Sequence, residues 1–292
     1  MSRRKIVTVR HGERVDFTFT DEWIRTCFDE DGNYSRQNLN QPEAVPKRKG
    51  YPQTFIFDCP LTEVGRLQAK LIGKGLMTET ILSDGFQVFV SPSLRCVETA
   101  TNLLKGMGLE IPLKVEPCLF EWTKWYMGHM PNWMTIDEFK TAGFNIDTTY
   151  TPMIPLNELT EGESIENYYN RSHKLMLNLL SQTGDKDLLL VAHGSSLDTN
   201  SRQLLGSAIR SEQEMFGVLR SIPYCGVAVM EQESDTQKWS LAYVPKLHIC
   251  HASEHDFDAR HALCGDHNFK PKPSSASIAT NGSSAAPKPG HI

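Results

Sequence analysis

Three short apolar runs constrain the fold of this chain more than any other feature: Ile6-Val7-Thr8-Val9, Phe86-Gln87-Val88-Phe89-Val90 and Leu188-Leu189-Leu190-Val191-Ala192. Each breaks abruptly into a polar corner. Runs this short, β-branched or continuously apolar, predict strands covered on both faces, as the strands of parallel sheets are. The second and third corners lead directly into helical spacing, over Cys96 to Leu104 and Leu197 to Leu205. Strand, corner and helix repeated in that order predict an α/β fold, a three-layer sandwich with a mostly parallel sheet flanked by helices. Two more helices are expected at Thr62 to Leu76, with Thr62 as the cap, and at Glu163 to Leu180. Tyr224 to Met230 followed by Trp239 to Tyr243 reads as a closing hairpin.

The corners carry the chemistry. The first is Arg10-His11-Gly12-Glu13-Arg14, the second Ser91-Pro92-Ser93-Leu94-Arg95, the third His193-Gly194-Ser195-Ser196. Open α/β sheets bind ligands at the carboxyl ends of their strands, and the start of a helix favours an anion. Guanidinium forks match phosphate oxygens two at a time and stay charged, while a neutral imidazole among them can attack phosphorus. Each residue has a duller reading: Arg14 on the surface of a first helical turn, Arg95 paired with Glu98 three residues on, His193 bonded to a core carbonyl. Arginine and histidine delivered together to one sheet edge by three separate strands favour a shared phosphate pocket.

The Arg-His-Gly string, the segment Ser91 to Ala100 and the segment Val191 to Ser196 together resemble the histidine phosphatase superfamily, whose first branch includes the phosphoglycerate mutases. Leu119 to Trp125 and the opening Arg10 to Asp16 resemble a narrower group in it, the suppressor of T-cell receptor signalling (TULA) phosphatases and the ecdysteroid-phosphate phosphatases. The similarity runs from about Lys5 to about Pro245. It implies a phosphoglycerate mutase-like fold and a metal-independent phosphomonoesterase without cofactors. His11 would be the residue phosphorylated in turnover, Arg10, Arg14, Arg95 and His193 the phosphate ligands, and Glu121 the proton donor. The arginines should depress the pKa of His11, and the aromatic neighbours Phe120, Trp122 and Trp125 should raise that of Glu121. Glu13, two residues from His11, is the alternative donor.

The implied substrate is phosphotyrosine in a protein, or a phosphate ester of a bulky apolar alcohol such as a steroid; the resemblance also implies a homodimer. The mutases carry a small hydroxyl residue where this chain has Arg14, which favours hydrolysis over mutase activity. A pseudophosphatase that only binds a phosphorylated partner is a third reading, disfavoured by the completeness of the residue set.

With 292 residues, 39 % of them apolar, the chain suffices for one catalytic domain over 1–268 and a disordered tail over 269–292 rich in Pro, Ser, Ala and Lys. A net charge of −5 argues against nucleic acid as a partner, and no run reaches membrane-spanning length. Seven dispersed cysteines and no visible signal peptide suggest reduced thiols in a cytoplasmic protein. Residues 21–60 and 122–159 are expected to be irregular excursions around the pocket, the first outside the core, the second using its aromatic side chains mostly for packing and some to line an apolar mouth. Histidines and cysteines crowd positions 248–267, but without a Cys-x-x-Cys pair the segment is expected to be solvated and to hold no metal.

Overall fold

The computed structural model describes residues 3–243 and 259–264. In chain order the regular elements are β1 (Lys5–Arg10), α1 (Val15–Phe19), α2 (Glu22–Cys27), α3 (Glu63–Thr78), β2 (Gln87–Val90), α4 (Leu94–Met107), β3 (Lys114–Val115), α5 (Ile136–Thr141), α6 (Ile165–Gln182), β4 (Leu188–Ala192), α7 (Gly194–Thr199), α8 (Glu212–Leu219), β5 (Val227–Gln232), β6 (Trp239–Leu241) and α9 (Ala259–Cys264). The strands form one sheet in the order β3-β2-β4-β1-β5-β6. β3, β2, β4 and β1 run parallel, and the closing hairpin β5–β6 joins antiparallel at the β1 edge.

Alternation along the strands explains the three layers. Val7, Val9, Val88, Val90, Leu189 and Val191 face one cluster with Ala69, Ile72 and Leu76 of α3 and Val97, Ala100 and Leu103 of α4. Ile6, Phe89, Leu188, Leu190 and Ala192 face the opposite cluster, closed by Leu175, Met176 and Leu179 of α6. A period of two along each strand thus feeds two hydrophobic layers, which is why the runs read as continuously apolar.

Register places the corners. Val9 lies opposite Val191 and Val191 opposite Val90, so β1, β4 and β2 end level. The chain continues the ladder one step further, with His11 N–H donating to the Ala192 carbonyl and Ser91 N–H to the Val191 carbonyl. Behind the first corner, Gly12 rests on the first turn of α3: a Cβ at Gly12 would stand 2.5 Å from the Gly65 carbonyl oxygen, and one at Gly65 would run into the Glu13 carbonyl oxygen. Gly65→Ala is therefore expected to push the His11 loop off α3, lowering stability by about 1–3 kcal/mol and turnover with it. Urea denaturation and steady-state assays on the same preparation check both.

Three expectations need correction. The stretch 21–60 is not outside the core: Trp23 and Cys27 of α2, Phe55 and Cys59 are buried in the α3–α4 layer, and the Arg48–Asp58 ion pair is buried with them at 2.6 Å. Polar composition hid a minority of large apolar residues that suffice to anchor a loop. The helix after His193 starts at Gly194 and ends at Thr199, with turns continuing to Gly206, so it is shorter than the apolar spacing suggested. Within 248–267, α9 is not solvated, because Ala259 and Leu263 pack on Leu197, Ile222 and Ala228. The tail 269–292 and most of the histidine- and cysteine-bearing segment lie outside the described residues. In the second excursion Trp122, Tyr126 and Phe139 are buried packing residues, whereas Trp125 and Met127 are exposed.

Candidate active site

The level strand ends bring Arg10, His11 and His193 together, the first turn of α4 brings Arg95, and the loops add Arg14 and Glu121. His11 and His193 stand edge to face with ring centroids 5.5 Å apart, both buried. His11 Nδ1 lies 2.9 Å from its neighbour Gly12's carbonyl oxygen. A carbonyl only accepts, so Nδ1 carries the proton and the lone pair sits on Nε2, the nitrogen free to act as nucleophile. His193 is fixed in the opposite tautomer: Nδ1 accepts from Arg95 Nη2 at 3.2 Å, which leaves Nε2–H to donate to Ser91 Oγ at 2.8 Å.

Arg95 is fully buried at the start of α4. Nη2 donates to Glu121 Oε1 at 2.6 Å, while Nη1 lies 3.9 Å from Asp58 Oδ1. Neither Nε nor Nη1 makes a hydrogen bond. Asp58 is itself held by Arg48 and accepts from the Leu94 N–H at 2.8 Å, capping α4 from a loop 36 residues upstream. Arg14 is clamped by Asp16, its Nε donating to Oδ1 at 2.7 Å and Nη2 to Oδ2 at 2.5 Å. Asp16 also accepts from the Cys59 thiol at 3.1 Å. Arg10 donates Nη1 to the Ile222 carbonyl and lies under the Tyr224 ring, 4.5 Å from its centroid. Arg95 thus ignores Glu98, which Arg66 takes at 2.7 Å.

Electrostatics follow from this crowding. His11 and His193 are both held well below the usual imidazole range, first by burial and then by the neighbouring guanidiniums, with Arg95 the strongest of these. The expected depression of His11 is present, though burial and not the arginines is its main cause. The expected elevation at Glu121 is not: burial does push its carboxyl up, but Arg95, Arg14 and the Tyr126 hydroxyl outweigh it, and the group lies below the usual range. Of the aromatic residues near it in sequence, Phe120 packs on His193 and Tyr126, whereas Trp122 turns away to donate its indole N–H to the Glu163 carbonyl at 2.8 Å. Tyr126 Oη donates to Glu121 Oε1 at 2.6 Å. The Glu13 carboxylate accepts from Thr62 Oγ1 at 2.8 Å and Asn40 Nδ2 at 3.0 Å, at the start of α3.

Two neutral buried histidines make stability sensitive to acid. The unfolded chain binds a proton at each near pH 6.5 whereas the folded site resists, so stability falls as pH drops below about 6.5 and keeps falling toward the folded values. Denaturant midpoints measured at pH 7 and pH 5 should show the loss, and the slope should be shallower in His11→Gln.

Sequence reasoning did not assign Asp16, Asp58, Ser91, Tyr126 and Tyr224 to the site. Asp16 had a signal, an acid two residues beyond Arg14, and Ser91 opens the second corner; Tyr126 lies five residues past Glu121, while Asp58 and Tyr224 come close only through the fold.

Residues 47–244 match the family model of the histidine phosphatase superfamily, branch 1. That span contains Arg95, Glu121 and His193, and the β1 corner precedes it. Over 259 residues, 87 % of the chain, there is 44 % identity to the ecdysteroid-phosphate phosphatase of Drosophila melanogaster, of which 34 % is covered. Identity to the human ubiquitin-associated and SH3 domain-containing protein B is 38 % over 89 % of the chain, covering 41 % of that protein. The chain therefore spans between a third and about two fifths of the length of these relatives. It is also similar to the ecdysone phosphate phosphatase of Bombyx mori, solved in complex with tungstate, with a TM-score of 0.72 and 29 % identity, covering 88 % of this chain and 99 % of that one.

Proposed function

The chain belongs to branch 1 of the histidine phosphatase superfamily, and from that premise we propose that it hydrolyses phosphate monoesters through a phosphohistidine on His11. One observation carries the reading: the buried Arg95 guanidinium has Nε and Nη1 without hydrogen-bond partners, beside the free lone pair of His11. A buried donor edge left unmatched is costly, and a tetrahedral oxyanion matches it.

Arg10, Arg14 and Arg95 surround the phosphoryl oxygens, and His193 joins them as a donor once the bound phosphate draws a proton onto Nδ1. His11 Nε2 forms a bond to phosphorus as the bond from phosphorus to the leaving oxygen breaks, and that oxygen takes a proton from Glu121. Water then attacks the phosphohistidine, giving its proton to the Glu121 carboxylate, and inorganic phosphate leaves with His11 restored. In the free site Glu121 is ionised. A bound phosphate opposes the positive charge that keeps it so, and a substrate arriving as monoanion brings the proton the donor needs.

The leaving group proposed is apolar and bulky, a phosphotyrosine side chain or a steroid alcohol. Two arginines in the cradle each carry an aromatic ring on one face, Tyr224 on Arg10 and Phe17 on Arg14 at 4.2 Å, and Phe17 is 69 % exposed. The Drosophila and Bombyx relatives named for ecdysteroid or ecdysone phosphate agree with such a group.

Purified protein assayed on para-nitrophenyl phosphate, phosphotyrosine peptides, steroid phosphates and sugar phosphates tests the reading. Turnover of aryl or steroid esters is expected; binding of phosphopeptides with no turnover of any ester would leave a pseudophosphatase, and efficient phosphoglycerate interconversion a mutase. Arginines supply the charge on the phosphoryl oxygens, so EDTA is expected to leave the rate unchanged. Strong inhibition by the chelator would overturn the metal-independent mechanism.

A further inference from the structure

We propose that Tyr126 is a positioning residue for the proton donor: its phenol fixes one oxygen of Glu121 so that the other alone carries the proton to the leaving group. The inference rests on Glu121 being that donor. Tyr126 ends a short 3-10 turn, Thr123–Tyr126, that begins two residues after Glu121, and its buried ring packs on Phe120 with centroids 5.1 Å apart. The hydroxyl is anchored from two sides, accepting from Arg95 Nη2 at 3.2 Å and donating to Glu121 Oε1 at 2.6 Å. Arg95 Nη2 reaches the same Oε1 at 2.6 Å, and His193 Nδ1 lies 3.5 Å from it. Among the described residues every polar contact of the carboxylate falls on Oε1. Oε2 is left as the oxygen with a free lone pair, and the rotation that would exchange the two is blocked by two short bonds.

The charged and titratable groups facing Glu121 come from every side of the pocket. They are Arg95 from α4, His193 from the third corner, and Arg14 and His11 from the first. Arg171 of α6 reaches only its backbone carbonyl, at 3.5 Å. Of the groups that touch the carboxylate, Tyr126 alone is a neutral donor, and burial beside Glu121 pushes the phenol far above its usual range, so it remains one throughout the working pH. The hydrogen bond favours the ionised carboxylate. Its loss lets Oε1 compete for the proton and makes the donor a weaker acid.

Tyr126→Phe keeps the ring and removes the donor. With an alkyl phosphate, whose departure needs the proton, kcat is expected to fall about 10-fold and the alkaline limb of kcat to move to higher pH. With para-nitrophenyl phosphate the change should stay under about twofold. 3-Fluorotyrosine at position 126, a stronger donor, should move the limb the other way, which loss of packing cannot do. An equal fall for both esters with the limb unmoved would overturn the inference. If Glu121→Gln itself leaves the alkaline limb intact, the donor assignment fails instead. In the Glu121→Gln background, Tyr126→Phe should add no leaving-group discrimination.

Discussion

His11→Ala is expected to reduce turnover by about 10³-fold or more and to abolish covalent labelling of the protein. The wild-type protein, quenched rapidly during turnover of a labelled ester, should hold label that is lost in acid and kept in base, the behaviour of a phosphorus–nitrogen bond on imidazole. The size of the effect follows from the site. Nδ1 is pinned to the Gly12 carbonyl and the ring is held neutral by burial and by Arg95, so Nε2 is oriented and unprotonated before substrate arrives. No other nitrogen in the pocket has that combination. His193 spends one nitrogen on Arg95 and the other on Ser91. Label persisting in His11→Ala would move the nucleophile to another residue such as His193, and turnover of the wild-type protein without any label would remove the covalent step.

Glu121→Gln should act in proportion to how badly the leaving oxygen needs a proton. A nitrophenolate departs with little aid and an alkoxide does not, so the variant should slow alkyl and steroid phosphates by roughly 10²-fold or more and para-nitrophenyl phosphate by about 10-fold. Glutamine keeps the shape and the bond from Arg95 but has no proton to give, so the alkaline limb of the kcat profile should flatten. Glu13→Gln is expected to leave the spread between esters as in wild type, because its carboxylate is turned to Thr62 and Asn40 at the start of α3. A graded response at Glu13 with a uniform one at Glu121 would exchange their roles.

Much of the site was legible because its residues follow strands directly. Arg10 ends β1, His11 and His193 stand one step past their strands and Arg95 lies in the first turn of the helix after β2, so the four could be grouped from three local patterns before any contact was known. The loop residues were harder. Asp58 caps α4 and neighbours Arg95 from the stretch that composition placed outside the core, and only Trp23, Phe55 and Cys59 packing on α3 and α4 bring it there. Glu121 stands beside Arg95 in the candidate site, but its electrostatics were misjudged. Sequence neighbours Phe120, Trp122 and Trp125 suggested a dry carboxyl with an elevated pKa, whereas the partners that set its charge are Arg95, 26 residues away, and Tyr126, on the following turn.

The sequence by itself determined the strands β1, β2 and β4, the closing hairpin, the three corners and the cationic and imidazole residue types gathered there, because hydrophobic period and corner chemistry are local properties of the chain. The tertiary structure alone decided protonation and orientation. Which nitrogen of His11 is free, which oxygen of Glu121 is bound, which edge of Arg14 Asp16 occupies and which donors of Arg95 remain unmatched all depend on charges and carbonyls within about 4 Å that arrive from distant segments. Coulombic and hydrogen-bond energies fall off over that distance, and no periodicity in the sequence encodes it.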